Sequence, residues 1–522
     1  MNTEEYKRFE YLDGVIRKMC AEEGIYDGDI MWEFCSPERA IEVVSYGLPT
    51  NYSAWHHGRD FDKMYSDFRR TGYGLPYEIM WTFKPVPRAV LLKTNPLGLN
   101  LLINCHVRGH ADFGRNIYSR IADEIADIAE EARLAAVRFD GYRAQYGDKA
   151  VDMVIETGAA LAKYIGLTHV PGRIHEEKIR EQMISEFNVE IKNLESDLDI
   201  SDEERTKKIT LCRRKIDVME EKTPPRPDYD ILGYIIDHAP KRHKPWVRDI
   251  WQVQRRQAHH NRHIGMTQLL NEGWASYWHQ HLMRRLQKEG YLTDEEFGHF
   301  VYFHSQVLSQ HFELHPYTTG CAFWEDIEYR WDNGKFGREY FDLDDPAKRK
   351  AYRRDGFQGE GRKKMFEIMK NFDDHSVIMN PEYFTDDFIR TQKIFIWGTI
   401  ENEDGKQKRV IVTREPDRIR TILANQKMLY VIPSIAVIDG NYNKRHELYL
   451  RHDFLGMEIN PFYELGAMEY LHFAWGRDVH FETCEITKVD SQGNISSYQP
   501  VVHRYDGKEH KFDKVKTFKM RT

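Results

Sequence analysis

One predicted helix, residues 97–110, restricts the fold of this chain more than any other segment. Asn95 and Pro96 introduce it, and a capping asparagine followed by proline is a typical helix start. Spacings of i, i+3, i+4, i+7 and i+11 place three aliphatic residues and two histidines on one stripe: Leu99, Leu102, Ile103, His106 and His110. Because an apolar stripe faces the core, both imidazoles are predicted to be buried, and buried imidazoles need polar partners.

Two histidines at this spacing can bind one metal ion. His106 and His110 are four residues apart, so their rings project from the same face of a helix. Neutral imidazole nitrogens from adjacent turns can reach a single zinc ion or a similar cation. Gly109 leaves room beside them for a ligand or another backbone. The alternative is a structural pair with local hydrogen bonds, and the spacing alone does not separate the two.

A later segment, residues 271–277, offers a third ligand. It places Glu272 inside a helical pattern, and a buried glutamate is costly without a cation to pair with. Together, His106, His110 and Glu272 would bind zinc or another divalent metal. A site of two histidines and one glutamate leaves a coordination position open, as a catalytic metal requires.

The composition excludes several classes of protein. The chain has 522 residues, 41% of them hydrophobic and 30% charged, which fits a folded protein of two or three domains. A formal net charge of −8 gives no electrostatic reason to expect nucleic acid or an anionic membrane as partner. Six well-separated cysteines without a Cys-x-x-Cys pair argue against a disulfide framework.

The sequence also predicts where the protein resides. Its acidic first residues lack the basic start and apolar stretch of a secretory signal. The most apolar stretch, residues 97–105, is only about half as long as a membrane span. We therefore expect a cytoplasmic protein that does not insert into a membrane.

The pattern of apolar residues predicts an α+β protein that is predominantly α-helical. Residues 1–385 are expected to form a mainly helical core with the candidate metal site. The strongly charged stretch 175–222 carries a narrow apolar stripe and is predicted to be a helical hairpin, with a solvated linker as the alternative. Residues 386–522 contain strand-like runs, polar turns and a helix at about 461–475, so we expect a small α+β domain there.

The segment Leu269–Tyr277 is similar to the one that supplies the third zinc ligand in gluzincin aminopeptidases. In that family it follows a His-Glu-x-x-His helix. The resemblance implies a zincin-like core with His106, His110 and Glu272 as ligands. Two features depart from the family: Val107 stands where the general-base glutamate should be, and the gap between the two motifs is far longer.

A second resemblance, to the stage V sporulation protein R (SpoVR) family, covers nearly the whole chain. It is carried by rare strings in the same order, among them Trp55-His56-His57-Gly58, Thr94-Asn95-Pro96-Leu97, His106-Val107-Arg108-Gly109-His110, Thr223-Pro224-Pro225-Arg226-Pro227 and Asn271-Glu272-Gly273-Trp274. The resemblance implies a cytoplasmic bacterial protein linked to synthesis of spore cortex peptidoglycan. In bacteria that do not sporulate, it implies a role in stress responses with a serine protein kinase and a von Willebrand-type partner.

Two functional hypotheses follow. The first is a metal-dependent hydrolase or amidase, in which another group replaces the absent base; Asp112 is close in sequence, and Glu78, Asp60 and His279 could approach in the fold. The second is a non-catalytic regulatory or scaffold protein that keeps a zincin-like core. A di-iron carboxylate protein would need two Glu-x-x-His motifs, and only Glu296-Phe297-Gly298-His299 is a clear candidate.

A further group of histidines follows the Glu272 segment. Four residues at i, i+4, i+7 and i+11 suggest one helical stripe: His304, Leu308, His311 and His315. The leucine indicates that this side of the helix faces the core. Its histidines would then either form local hydrogen bonds or hold metal ligands in position through hydrogen bonds.

Overall fold

The computed structural model describes residues 1–45, 62–67, 69–70, 79–81, 86–120, 128–162, 164, 176–197, 199–309, 314–401, 407–428, 433–454, 458–489 and 495–514. The chain divides into two compact units. The first contains Met1–Arg138 and His260–Val431, and the second contains Phe139–His259 and Ile432–Thr522.

The first unit is mainly helical. Its helices are Thr3–Glu23, Pro37–Ser45, Leu97–Phe113, Gln268–Lys288, Asp294–Val307, Pro316–Asp332, Arg338–Phe341, Pro346–Ala351, Glu360–Asn371, Asp374–Met379, Asp386–Thr391 and Pro416–Met428. A small sheet has the order β1-β3-β2, and a hairpin pairs β4 with β5. These strands are β1 (Met31–Cys35), β2 (Ile79–Trp81), β3 (Arg88–Leu92), β4 (Ile396–Glu401) and β5 (Gln407–Thr413).

The second unit contains a five-stranded sheet of order β10-β9-β8-β7-β6. Its strands are β6 (Ile435–Tyr442), β7 (Glu447–His452), β8 (Val479–Val489), β9 (Ile495–Tyr505) and β10 (His510–Lys514). β7 and β8 are parallel, and the helix Pro461–Trp475 connects them. Such a crossover is required because parallel neighbours cannot be joined by a tight turn.

Further helices of this part of the chain are Asp148–Leu161, Glu176–Ser196, Asp202–Glu221 and Ile231–His238. Two more, Ile128–Tyr146 and Pro245–Gly265, contain residues of both units. Within the charged stretch, the helices Glu176–Ser196 and Asp202–Glu221 pack against each other.

The predicted fold class is confirmed, since the chain is predominantly helical with a sheet towards its C-terminal end. The domain division predicted at 1–385 and 386–522 stays a prediction, because a compact unit need not fold independently. The zincin-like core likewise stays a prediction. Within the described residues, no helix combines the length and apolarity needed to span a bilayer.

The helix Leu97–Phe113, named the histidine helix below, contributes to the hydrophobic core of the first unit. The sequence predicted one buried stripe, but every residue of this helix is buried. Its polar residues on the other faces are bonded internally; Asn104 and Arg108 both donate to the Asp13 carboxylate, at 2.7 Å. The extra burial is therefore compatible with the rule that buried polar groups are hydrogen-bonded.

The histidine helix packs closely against the helix Gln268–Lys288, named the glutamate helix below. A Cβ atom added to Gly109 would lie 2.6 Å from the Cα atom of Ala275. On its other side the glutamate helix meets the helix Pro316–Asp332, where a Cβ atom on Gly273 would lie 2.3 Å from the carbonyl carbon of Gly320. Glycine is therefore required at these crossings, because any side chain would push the helices apart.

We predict that Gly109→Ala destabilises the protein although alanine is the better helix former. The added methyl overpacks the crossing with Ala275, and overpacking typically costs about 1–3 kcal/mol. The control is Gly298→Ala, because a Cβ atom at Gly298 meets no atom within 4 Å. That variant should be neutral or more stable by up to about 1 kcal/mol. Urea unfolding measures both, and equal stabilities would refute the packing argument.

Candidate metal centre

The histidine helix and the glutamate helix bring three potential ligands together. The Nε2 atoms of His106 and His110 lie 3.7 Å and 3.5 Å from the same carboxylate oxygen, Oε2 of Glu272. One ligand atom from each residue lies within 4.8 Å of the other two. The close helix crossing makes this approach possible, since Gly109 is next to His110 and Ala275 is less than one turn from Glu272.

These separations suit a tetrahedral metal site. Zinc–nitrogen and zinc–oxygen bonds of about 2.0–2.2 Å at tetrahedral angles place two ligand atoms about 3.4 Å apart. Both histidines are buried, whereas 21% of the Glu272 side-chain surface is exposed. The cluster therefore has a buried nitrogen side and a carboxylate side that solvent can reach.

A hydrogen bond defines which nitrogen of His110 is available. Its Nδ1 atom lies 2.9 Å from the side-chain oxygen of Asn271. An amide oxygen can only accept a hydrogen bond, so Nδ1 must carry the proton. The lone pair of the neutral ring is then on Nε2, which faces Glu272. This is the tautomer that a metal ligand needs.

A chain of imidazoles lies behind His106. Its Nδ1 atom is 2.8 Å from Nδ1 of His279, and Nε2 of His279 is 2.8 Å from Nδ1 of His304. Burial lowers the pKa of His304 to about 4, and the charge of Arg284 contributes to the same shift. The ring of Tyr317 stacks on His106, with ring centroids 5.8 Å apart and an interplanar angle of 14°.

The candidate bases have separate locations. His279 lies beside the ligands, but both of its ring nitrogens already make the hydrogen bonds to His106 and His304. Asp112 accepts a hydrogen bond from the Trp274 indole at 3.0 Å and forms an ion pair with Arg115. Burial raises the pKa of its carboxyl group. Asp112 therefore links the two helices, with one oxygen bonded to Trp274 and the other paired with Arg115.

Most of the other candidate positions are not described by the structure. Glu78 lies outside the described residues, as do Asp60 and the His56-His57 pair. Val107, at the usual position of the general base, is fully buried in the hydrophobic core of the first unit. This position therefore holds a core packing residue, whose aliphatic side chain cannot act as a base.

The predicted stripe from His304 to His315 is wrong. The helix that holds His304 ends at Val307, and His315 is the N-cap of the helix Pro316–Asp332. His311 lies outside the described residues. His304 is hydrogen-bonded to His279, which agrees with the alternative that it supports metal ligands without binding the ion. A periodic pattern cannot reveal such a break, because the same spacing can run from the end of one helix into the start of the next.

Sequence reasoning missed Asp374, which positions the glutamate helix. This fully buried carboxylate accepts hydrogen bonds from the backbone amides of Leu269 and Leu270, at 2.7 Å and 3.0 Å. Thr267, at the N-cap, makes no side-chain capping bond of its own. A carboxylate at this end also interacts favourably with the helix dipole. No local pattern signals this cap, because Asp374 is 105 residues from Leu269.

We predict that Asp374→Ala lowers the free energy of unfolding by about 1–3 kcal/mol, since two buried amides lose their acceptor. Asp374→Asn keeps one acceptor and should cost about half as much. The control, Asp345→Ala, removes the cap of the exposed helix Pro346–Ala351 and should cost about 0.5–1 kcal/mol. Urea denaturation measures the free energy of unfolding of the three variants. A cost for Asp374→Ala no larger than that of the control would contradict the assigned role.

Comparison with known proteins identifies the family of this chain. The sequence profile described as SpoVR like protein matches residues 3–432. A relative from Escherichia coli K12, named "Uncharacterized protein YcgB", is 27% identical over 310 residues. The match covers 57% of this chain and 58% of the relative, so less than two thirds of the relative's length is spanned. No solved structure matches the chain. Because the profile spans most of its length, this chain belongs to the SpoVR family.

Proposed function

We propose that this SpoVR protein binds one divalent metal ion, preferentially zinc, through His106, His110 and Glu272, and uses it for the hydrolysis of an amide bond. The observation that carries the proposal is the convergence of two Nε2 atoms and one carboxylate oxygen within 4.8 Å. Two helices fixed by a glycine crossing and by a buried cap supply these atoms. The geometry therefore depends on backbone packing and not on flexible side chains alone.

The donor set favours zinc over harder cations. Imidazole nitrogens suit zinc, copper, iron and nickel, whereas magnesium and calcium prefer sites built from oxygen ligands. Three protein ligands are typical of catalytic zinc sites, while structural sites have four. When bound, zinc lowers the pKa of a coordinated water towards about 7 and polarises a carbonyl oxygen.

The surrounding residues have clear supporting roles. Asn271 holds His110 in the ligand tautomer, and Asp112 ties the histidine helix to Trp274. The partly exposed Glu272 provides the side from which a substrate could approach. Asp112 is engaged by Trp274 and Arg115. His279 is hydrogen-bonded to His106 and His304, so we do not assign the base role to either residue. A site without that assistance, typically worth about 10²–10⁴-fold, would be slow.

The substrate and partners come from the family resemblance. An amide bond in a cell-wall precursor or a protein is the proposed substrate, because the family is linked to spore cortex peptidoglycan. A stress-response role with a serine protein kinase and a von Willebrand-type protein is the corresponding proposal for a bacterium that does not sporulate.

A second candidate function is a non-catalytic regulator or scaffold with the same metal site. Val107 in the core favours it, because the residue that usually activates water is replaced by a packing residue. The helical hairpin Glu176–Ser196 and Asp202–Glu221 also favours it. Three of its apolar side chains are more than half exposed and could contact a partner helix: Val189, Leu211 and Val218.

The test is a zinc titration of metal-free protein against a chromophoric chelator. We predict one zinc per chain. Glu272→Gln should weaken binding by more than the roughly 10–100-fold that loss of a supporting group causes, because it removes a ligand. The control is Glu295→Gln, which changes an exposed glutamate in the first turn of Asp294–Val307 and should bind zinc like the parent protein. Equal affinities for all three proteins would reject Glu272 as a ligand.

The same proteins separate the two candidate functions. A hydrolase should release amine from synthetic peptidoglycan peptides in a zinc-dependent reaction that Glu272→Gln abolishes and Glu295→Gln retains. A regulator should show no turnover, yet zinc should raise its melting temperature, since a ligand that binds only the folded state stabilises it by about 2.7 kcal/mol at one hundred times its Kd.

A further inference from the structure

We infer that His279 and His304 control metal uptake by setting the tautomer of His106, so that His304 regulates a site that it does not touch. The inference rests on the proposed metal site and adds a regulatory element to it. The observation that supports it is a continuous chain of hydrogen-bonded imidazoles. This chain runs from the histidine helix, through the glutamate helix, to the helix Asp294–Val307.

The two histidine ligands differ in how their tautomers are fixed. Behind His110 lies the oxygen of Asn271, which can only accept, so Nδ1 of His110 carries the proton at all times. Behind His106 lies Nδ1 of His279, and an imidazole nitrogen can either donate or accept. The ligand state of His110 is therefore fixed, whereas that of His106 depends on its neighbour.

A neutral chain of three rings has two consistent arrangements, because each ring carries one N–H group. In the first, Nδ1–H of His106 donates to His279, and Nε2–H of His279 donates to His304. Nε2 of His106 then has a lone pair directed towards Glu272. In the second, every hydrogen bond is reversed, Nε2 of His106 carries the proton, and His106 cannot bind a metal.

The far end of the chain selects between these arrangements. His304 must accept at Nδ1 for the first arrangement to hold, so it must be uncharged. Its burial and the nearby charge of Arg284 favour the uncharged ring, and Phe300 stacks on it with centroids 5.0 Å apart. An acceptor at the outer nitrogen of His304 would favour metal binding, and a donor there would oppose it.

The experiment compares the zinc affinity of the full-length protein with that of three variants. His304→Leu removes the acceptor, and loss of such a supporting group should weaken zinc binding about 10–100-fold. In His304→Asp a carboxylate oxygen replaces Nδ1 as an acceptor that cannot donate, so affinity should return to within about threefold of the parent protein. His299→Leu, on the same helix but outside the chain of imidazoles, should leave affinity unchanged.

Nitrogen-15 spectra of histidine-labelled, metal-free protein give a second readout that requires neither zinc nor activity. They distinguish protonation at Nδ1 from protonation at Nε2, and His106→Asn assigns the resonances. We expect His106 to carry its proton on Nδ1 in the parent protein and in His304→Asp. In His304→Leu a substantial fraction should carry it on Nε2.

The outcomes separate the inference from the proposed function. If the parent protein binds no zinc, the proposed metal site fails, and the inference fails with it. If the parent protein binds zinc but folded His304→Leu binds it equally well with the same His106 tautomer, only the inference is overturned. If His304→Leu binds zinc weakly and His304→Asp restores the affinity, the inference is supported. A general packing defect would not be repaired by a hydrogen-bond acceptor.

Discussion

The crossing of the histidine helix and the glutamate helix at Gly109 and Ala275 is the contact on which the rest of the site depends. A Cβ atom at Gly109 would lie 2.6 Å from the Cα atom of Ala275, so the backbones approach more closely than side chains would allow. This approach places His110 and Glu272, both within one turn of the contact, with Nε2 and Oε2 3.5 Å apart. A wider crossing would separate the proposed ligands beyond the reach of one ion.

The interior around the histidine helix is unusually polar. A helix buried on every face would ordinarily be apolar throughout, yet the histidine helix contains Asn104, Arg108 and Asp112. Arg108 is fully buried and is held by Asp13, Asn104 and the carbonyl oxygen of Gly28. These bonds fix the rotation of the helix, and that rotation directs His106 and His110 at Glu272. Buried polar groups of this kind specify one geometry because misplacing them leaves charges unpaired.

The sequence predicted those parts of the fold and site that local patterns encode. The histidine helix follows from the period of its apolar residues, although the predicted cap is wrong, because the N-cap is Pro96 rather than Asn95 and makes no side-chain capping bond. The helix Pro461–Trp475 was also predicted with the bounds that the structure shows. Glu272 was proposed as a ligand because a buried glutamate would need a cation, yet 21% of its side-chain surface is exposed in the structure. The role of Asp374 and the hydrogen bond between His279 and His304 could not be predicted. Each joins two separate helices, and a periodic sequence pattern describes only one helix at a time. The stripe from His304 to His315 failed for the same reason, because the helix ends at Val307.

If two imidazoles and one carboxylate bind a single ion, the X-ray absorption spectrum of the zinc-loaded protein should show those ligands. We expect nitrogen and oxygen neighbours of zinc at about 2.0–2.1 Å, with the multiple-scattering signature of two imidazoles. The loss of one oxygen ligand in Glu272→Gln would identify the carboxylate. Sulfur at about 2.3 Å, or fewer than two imidazoles, would refute the proposed site, because it includes none of the six cysteines.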